Sequence, residues 1–526
     1  MQKLLYILVF FTINAQAQLH KMPADTEFFY TYGGTNKDEA RDIKETMDKG
    51  YIIIGTTGSF GQGAASAYII KTDALGKHIW SSVQGGSQND YAYAVELTPD
   101  SGFFVAGYSN SFSTNSQFYN SPYYFKLDKT GSLVWQKTID AGSWSFIYGS
   151  CVLPDSGFIL CGQTYATTDG SADAYLMRLT KNGDTTWTKH YGGIQDEVFN
   201  SLCTINNKIY AVGSNASHPS DTASDGWLVK LDMNGNKLQD TFVSFGAHLQ
   251  EVLNGITPYS NSLFSFCGTT YYPDSNATLG IIARYDTSFI SSAYTYISNQ
   301  GFVTKDYLLA FNKVVNIPYG NICAIGSSIG GNGGSNIFFL GYDENGNAIN
   351  GYSFLRHSGG LYNDYGYSGI LGSNGDLMGI GSTLGFEGMP SNYCINPNMG
   401  LEDYFLVRFN SDSITNNSIT YTKTNCFADT LFLWQASVKN YTDNFNLKLF
   451  PNPVSNYGNI EITCGEQKNF TARVYSILGN EIMSDKIHSN YSKTLDFSTL
   501  SEGSYFLKVQ DENGQNISVL KFIISR

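Results

Sequence analysis

Charged residues are scarce, only 15% of 526, which argues against both a helix-rich fold and a disordered chain. Basic residues are the scarcer sign, 32 Lys and Arg against 45 Asp and Glu. The resulting net charge of −13 disfavours nucleic acid and anionic lipid as partners, while an acidic surface suits cations or neutral polymers. No window beyond the N-terminus reaches the ~18 consecutive apolar residues of a membrane-spanning helix. None of the eight cysteines forms a Cys-x-x-Cys pair, and the seven histidines never fall at the i, i+4 spacing of a helical zinc site. What the chain has instead is 54 Gly, 37 Tyr and 34 Phe, the composition of short strands joined by many turns.

The N-terminus predicts export. Lys3 precedes an apolar stretch from Leu4 to Ile13, and Ala15-Gln16-Ala17 supplies the small-x-small pattern of a signal-peptidase site. Residues 1–17 are thus expected to be removed, leaving Gln18 first, and the apolar stretch is too short to persist as an anchor.

Beyond it, one unit recurs about every 50–60 residues. An apolar run closed by glycine appears as Tyr51-Ile52-Ile53-Ile54-Gly55, Phe103-Phe104-Val105-Ala106-Gly107 and Phe158-Ile159-Leu160-Cys161-Gly162, and returns before Gly213, Gly268, Gly326 and Gly381. A turn such as Asp48-Lys49-Gly50 precedes it. A polar loop, a second apolar run, an Asp-to-Gly hairpin and a further strand ending in Gly-Gly follow it. Four short strands joined by Asp, Asn and Gly turns make an antiparallel blade, and a blade cannot cover both its faces without neighbours. Seven glycine-closed strands predict a seven-bladed β-propeller over 18–425. The fourth-strand pattern occurs once too often, at Phe28 to Tyr32 and again at Ile414 to Tyr421, so the N-terminal strand is expected to complete the last blade.

Several residues that invite a chemical reading are absorbed by the repeat. Trp80, Trp135 and Trp187 each lie four residues after a hairpin glycine. This spacing resembles the tryptophan-docking motif of quinoprotein propellers, where the tryptophan pins neighbouring blades; packing is expected here, and no cofactor. Cys161, Cys267 and Cys323 share a place in the apolar strand and read as buried small hydrophobes. Cys394 and Cys426 fall outside the pattern, where an oxidising compartment permits a disulfide. Gly326-Ser327-Ser328-Ile329-Gly330 spells the hydrolase elbow, but its first glycine is the repeat glycine and no helix is predicted after it.

Asp38, Asp90, Glu197 and Asp364 each stand four residues past a Gly-Gly pair, with Phe146, Gln250 and Lys305 at the corresponding places of the other repeats. These acids should cluster at the mouth of the channel, where they either hold a cation such as calcium or accept backbone hydrogen bonds that tie blades together. The loops between second and third strands carry most of the variation and share that face. Tyr119, Tyr123, Tyr271, Tyr272, Phe386 and Tyr393 put aromatic surface there, suited to stacking on sugars or to packing the loops on each other.

After a linker at 426–446 a different pattern occupies 447–526. Its elements are Pro451-Asn452-Pro453, the Leu478-Gly479-Asn480-Glu481 turn, the Gly503-Ser504-Tyr505 strand and a terminal Lys521 among apolar residues. Read from the residues, this is a small Ig-like β-sandwich. These four ordered elements closely resemble the type A C-terminal sorting domain of type IX secretion, found in Bacteroidota. The resemblance implies passage to the periplasm, recognition by the outer-membrane translocon and removal of the domain by its sorting protease, with the remainder shed or attached at the cell surface. The propeller region is similar to a broad group of exported repeat proteins, which implies a fold and little more. Together these readings predict an all-β exported protein that presents loops to a glycan, a protein or the cell envelope. The alternative is a polysaccharide lyase or glycosidase working at the propeller mouth.

Overall fold

The computed structural model describes residues 28–34, 36–112, 119–139, 142–168, 170–218, 223–245, 248–273, 277–297, 309–317, 321–330, 334–342, 364–383, 403–409, 446–450, 454–463, 469–476, 481–490, 492–501, 503–510 and 516–524. Among the described residues all the named elements are strands, in seven sheets between 28 and 409 and two more between 446 and 524.

Blade 1 comprises Asp38–Glu45, Tyr51–Thr57, Ser66–Thr72 and His78–Gln84, paired in chain order. Blades 2 to 5 repeat that order behind the inner strands Asp90–Leu97, Ser145–Val152, Glu197–Ile205 and Gln250–Pro258. Blade 6 shows Leu309–Asn316, Ile322–Gly330 and Gly334–Tyr342; the chain where a fourth strand would follow lies outside the described residues. Blade 7 holds Asp364–Leu371, Leu377–Thr383, Asp403–Phe409 and, as its outermost strand, Phe28–Tyr32 from the N-terminus. Phe28 pairs with Arg408 and Tyr32 with Tyr404, so the N-terminal strand completes the last blade, as the repeat count predicts. The second surplus strand, Ile414 to Tyr421, lies outside the described residues, as do Ala17, Gln18, Cys394 and Cys426.

Each inner strand contacts the inner strand of the next blade, and that of blade 7 contacts that of blade 1, which closes the ring. The hydrophobic clusters bridge blades: Ile52, Ile54 and Ile69 of blade 1 pack with Val95, Val105 and Phe125 of blade 2. Met378, Ile380 and Tyr404 of blade 7 pack with Ile43, Ile53 and Tyr68 of blade 1. Because a middle strand is covered on both faces, it is buried along its whole length, as Tyr51–Thr57 and Ser66–Thr72 are. The edge strand His78–Gln84 alternates instead. Continuous apolar runs in the sequence are the trace of that two-sided cover. Cys161, Cys267 and Cys323 are fully buried within it, as read.

The glycine that closes each run has a steric cause. Every inner strand carries a β-bulge, at Arg41 in blade 1 and at Tyr93, Tyr148, Asn200, Asn254, Asn312 and Tyr367 in the others. A carbonyl beside the bulge lies against the partner strand. A Cβ on Gly55 would sit 2.0 Å from Glu39 O, and one on Gly213 1.8 Å from Val198 O. Only glycine leaves room for the bulge, and the bulge in turn aims one extra residue per blade at the channel.

The tryptophans dock as expected. A Cβ on Gly131, Gly183 or Gly235, all at positive φ, would lie 2.7, 2.6 or 2.9 Å from the ring of Trp80, Trp135 or Trp187 in the preceding blade. Where blade 7 meets blade 1, Tyr32 Oη donates to Gly76 O in that role. Ser328 of the apparent hydrolase elbow lies within a strand that starts at Ile322 and ends at Gly330, not at a strand-to-helix turn.

The C-terminal unit is a sandwich of a three-stranded sheet (Asn446–Phe450, Tyr457–Thr463, Ser492–Asp496) and a four-stranded sheet (Glu481–His488, Asn469–Ser476, Gly503–Gln510, Asn516–Ile524). Ile460, Ile462, Val474, Leu507, Phe497 and Phe522 fill the space between them. Tyr505 is buried, lies 5.8 Å from Phe522 ring to ring and donates its hydroxyl to Ser501 O at 2.8 Å. Gly503 opens that strand, and Lys521 lies opposite Phe506 in the last one. Pro451, Asn452, Pro453 and Gly479 lie outside the described residues.

Candidate functional site

Inner strands start at the face that carries the variable loops and run down the channel. At the top, the Gly-Gly acids perform a structural task. Asp38 accepts Gly34 N–H at 2.9 Å and Ser59 Oγ at 2.7 Å; Asp90 accepts Gly86 N–H at 2.8 Å and Ser111 Oγ at 2.7 Å. Glu197 accepts Gly193 N–H at 2.8 Å and Ser217 N–H at 3.0 Å. Burial raises the pKa of all three, against the opposing pull of these donors. Each acid thus fastens the link from the preceding blade to its own inner strand.

The equivalences of three repeats need correction. Counted from the bulge and the strand pairing, the residue matching Asp38 is Ser145, not Phe146, in blade 3 and Glu251, not Gln250, in blade 5. In blade 6 it is Leu309, and Lys305 lies outside the described residues. Glu251 is fully buried and accepts Thr270 Oγ1 at 2.9 Å, so the acid recurs in five blades. Where blade 7 meets blade 1, Asp403 joins Asp38. A Cβ on Gly33 would fall 1.9 Å from Asp403 Oδ1 and 2.7 Å from Asp38 Oδ2. Burial, and then Asp38, push the Asp403 carboxyl up to about 8.

Below the acids, the bulge residues form a belt around the channel. In blades 4, 5 and 6 the belt is asparagine. Asn200 Nδ2 donates to Leu253 O at 3.0 Å, Asn254 Nδ2 to Phe311 O at 2.9 Å and Asn312 Nδ2 to Gly366 O at 2.7 Å, each clamping the next blade. From blade 7 to blade 3 the belt is Tyr367, Arg41, Tyr93 and Tyr148. The Arg41 guanidinium carbon stands 4.3 Å from the Tyr367 ring centroid and 5.1 Å from that of Tyr93, and Nη2 bonds Glu39 at 3.0 Å. Tyr93, Tyr108, Phe146 and Tyr148 continue as an aromatic cluster of stacked and edge-on pairs with centroids 4.9–6.5 Å apart.

Beneath the belt lies a cavity of about 750 Å³ that reaches Pro258, Asn316 and Leu371 at the hairpin end of the channel. Four charges meet there. Lys44 Nζ sits 3.2 Å from Glu96 Oε1, and Lys313 reaches over from blade 6 to within 3.5 Å of Asp42. Asp42 also accepts Ser368 Oγ at 3.0 Å and Val95 N–H at 3.2 Å, and Glu96 accepts Ser150 Oγ at 3.3 Å. Burial would raise the pKa of Asp42, but Lys313 and Lys44 outweigh it and hold the carboxyl below its usual range. Burial raises Glu96 beyond what Lys44 offsets. Burial opposes the charge on Lys44, yet Glu96 and Asp42 raise its pKa. None of the four recurs at its place in every blade: Asp42 corresponds to Ala94, Gly149, Ser201 and Gly255.

The site therefore differs from the sequence expectation, which looked to the loop mouth. Of the loop aromatics, Tyr123 is buried, with its hydroxyl on Gln136 at 2.9 Å, and packs rather than presents. Tyr271 and Tyr272 end a strand, half-buried, and Phe386 and Tyr393 lie outside the described residues. Tyr119 stands beside Trp144, which is half exposed and which the sequence reading did not select.

Comparison with known proteins decides the C-terminal unit: residues 448–525 match the secretion system C-terminal sorting domain. This segment is a type IX secretion sorting domain. It directs the chain to the type IX machinery and so to the cell surface or the exterior. No curated protein matches the chain. Among solved structures, the Pan2 WD40 domain of Neurospora crassa is similar at 10% identity and a TM-score of 0.44, covering 76% of this chain and 99% of that one. PorZ, a surface component of the type IX secretion system of Porphyromonas gingivalis, is similar at 10% identity and 0.40, covering 94% and 60%. The propeller domain of the Pyrococcus furiosus Trilobed protease gives 8% and 0.40, covering 74% and 100%. The propeller assignment rests on the strand pairing of this chain itself.

Proposed function

We propose that the exported chain is a binding protein: a seven-bladed scaffold over 18–425 that takes a compact polar ligand in its channel. The observation that carries this reading is the cavity beneath the belt, where Asp42, Lys44, Glu96 and Lys313 meet although the repeat does not require them. The four charges cancel, Arg41 in the lining is paired with Glu39, and Asn, Ser and Thr side chains share the rest with tyrosines and apolar groups, which favours a neutral ligand rich in hydroxyl or amide groups. A carbohydrate end or a peptide turn from a partner or the envelope meets that description.

Before it functions, the chain loses residues 1–17 by cleavage between Ala17 and Gln18. The sandwich after the 426–446 linker is removed by the sorting protease, with Pro451, Asn452, Pro453, Gly479, Gly503, Tyr505 and Lys521 as features of the sorting signal. Mass spectrometry of the exported protein should find Gln18 as its first residue and a C-terminus upstream of Phe450. Arg526 retained on mature surface protein contradicts the processing.

One observation favours the enzymatic alternative. Asp42 and Glu96 both contact Lys44 electrostatically, and their pKa values are displaced in opposite directions, as in an acid–base pair. Screening against a polysaccharide panel, alongside a glycan array, separates the two readings. Binding without turnover supports the scaffold. Turnover that Glu96→Gln abolishes replaces it with a hydrolase or lyase.

A further inference from the structure

Strand pairing sets three equivalent backbone positions at the loop face of each of several blade junctions. At the first, a carbonyl accepts the N–H that follows the second strand: Lys37 O from Gly58, Asn89 O from Asn110, Trp144 O from Tyr165 and Asp196 O from Ala216. The third position precedes another accepting carbonyl and is held by Ala64, Tyr119, Ser171 and Ala223, ahead of Ala65, Asn120, Ala172 and Ser224. The backbone makes the bond at the first two positions and at the residue after the third, and small or polar residues serve there at the sister junctions. Three junctions show all three positions: Asn89, Asn110 and Ala64 between blades 1 and 2, Trp144, Tyr165 and Tyr119 between blades 2 and 3, and Asp196, Ala216 and Ser171 between blades 3 and 4; of these only the second is aromatic throughout.

They also meet in space. The Trp144 ring lies 6.1 Å from Tyr119 at 79° and 6.2 Å from Tyr165 at 87°, and its side chain is 50% exposed. Among the described residues, a Cβ on Gly142, two positions before the tryptophan, would meet nothing within 4 Å. An exposed tryptophan braced by two tyrosines costs solubility and contributes nothing that the sister junctions lack. We infer that Tyr119, Trp144 and Tyr165 form a stacking platform for a pyranose ring of a neutral glycan, a recognition site on the loop face distinct from the channel cavity. This rests on the reading of the protein as a binder.

The choice of ligand follows from size and charge. One half-exposed indole matches a sugar ring, whose C–H bonds point their partial positive charge at the electron-rich face. It falls far short of the ~1,000 Å² that a stable protein interface buries. Burial, and then the neighbouring Asp196 carboxylate, raise the pKa of the Tyr165 hydroxyl; the same carboxylate would repel uronate, sulfate or phosphate groups.

The test is native affinity electrophoresis of the full-length chain through gels containing neutral glucan, mannan, galactan or xylan, with polygalacturonate as the anionic comparison. At least one neutral polymer should retard the wild type. Trp144→Ala should weaken that binding about ten-fold or more, while Trp144→Phe keeps most of it and both variants keep the wild-type Tm. Ile194→Ala, which alters an exposed side chain at the next junction, should bind as wild type does. Equal binding by Trp144→Ala, stronger retardation by polygalacturonate, or no retardation by any neutral polymer overturns the platform. If Glu96→Gln alone abolishes retardation while Trp144→Ala leaves it intact, the platform fails and the channel reading stands.

Discussion

From blade 4 to blade 6 the bulge residue is asparagine three times running, and each amide reaches the backbone of the next blade. From blade 7 round to blade 3 the same backbone position carries Tyr367, Arg41, Tyr93 and Tyr148, the guanidinium lying over two tyrosine rings and Tyr93 meeting Tyr148 edge-on. The bulge and its glycine are common to both arcs, so the fold requires only that geometry. The asparagine arc shows the plain way to fill it. The other arc departs from that solution, holds three of the four channel charges and includes the blades that carry the proposed Trp144 platform, so it is the side to which the binding proposal points.

The largest effect should come from dismantling the plain arc. Replacing Asn200, Asn254 and Asn312 together by Ala strands three carbonyls and should cost about 1–2 kcal/mol each, read as a lower midpoint in urea. The acceptors are separate, so the single variants should add. A cost below that of one single variant would mean that water replaces the clamps. Next, Gly183→Val forces a branched side chain into positive φ against Trp135 and should cost about 2–4 kcal/mol. Gly170→Val, also at positive φ but in open space, should cost about half as much.

The Asp38–Asp403 junction offers a pH test. In the fold Asp403 titrates near 8, above the ordinary carboxyl, so the native state keeps a proton that the unfolded chain releases. That contribution is full below pH ~4 and is lost as pH rises through ~8. Asp403→Asn should flatten this decline, leaving the variant about 1–3 kcal/mol more stable than wild type at pH ~9. Parallel pH profiles for the two proteins would contradict it. Smallest in stability should be Arg41→Ala, about 1 kcal/mol, because the stacked guanidinium keeps partial contact with water. Its effect should appear in ligand binding instead, in contrast to the asparagines.

Much of the ring was legible in the sequence, because apolar runs, hairpin aspartates and Trp80, Trp135 and Trp187 recur with the blade. The N-terminal strand could be assigned from a surplus of one pattern. A count from the linking glycine misplaces the acid position of blades 3 and 5, because the links between blades differ in length. The bulge, which fixes the true register, leaves only a glycine on the partner strand as its trace. The channel charges were hidden for a different reason: Lys313 meets Asp42 across 271 positions of sequence, and inner-strand polar residues look like any solvent-facing alternation. Trp144 carries no signal of its own in the sequence, because its meaning lies in what its sister blades hold at the same backbone position.

The most direct measurement is a crystal structure of the chain soaked with the oligosaccharide repeat of whichever polymer retards it. The expected density is a sugar ring stacked on Trp144 between Tyr119 and Tyr165, with any second ligand in the cavity beside Arg41, Lys44 and Glu96. Sugar seated against blades 4 to 6, with the opposite arc empty, would show that the departure from asparagine has nothing to do with recognition.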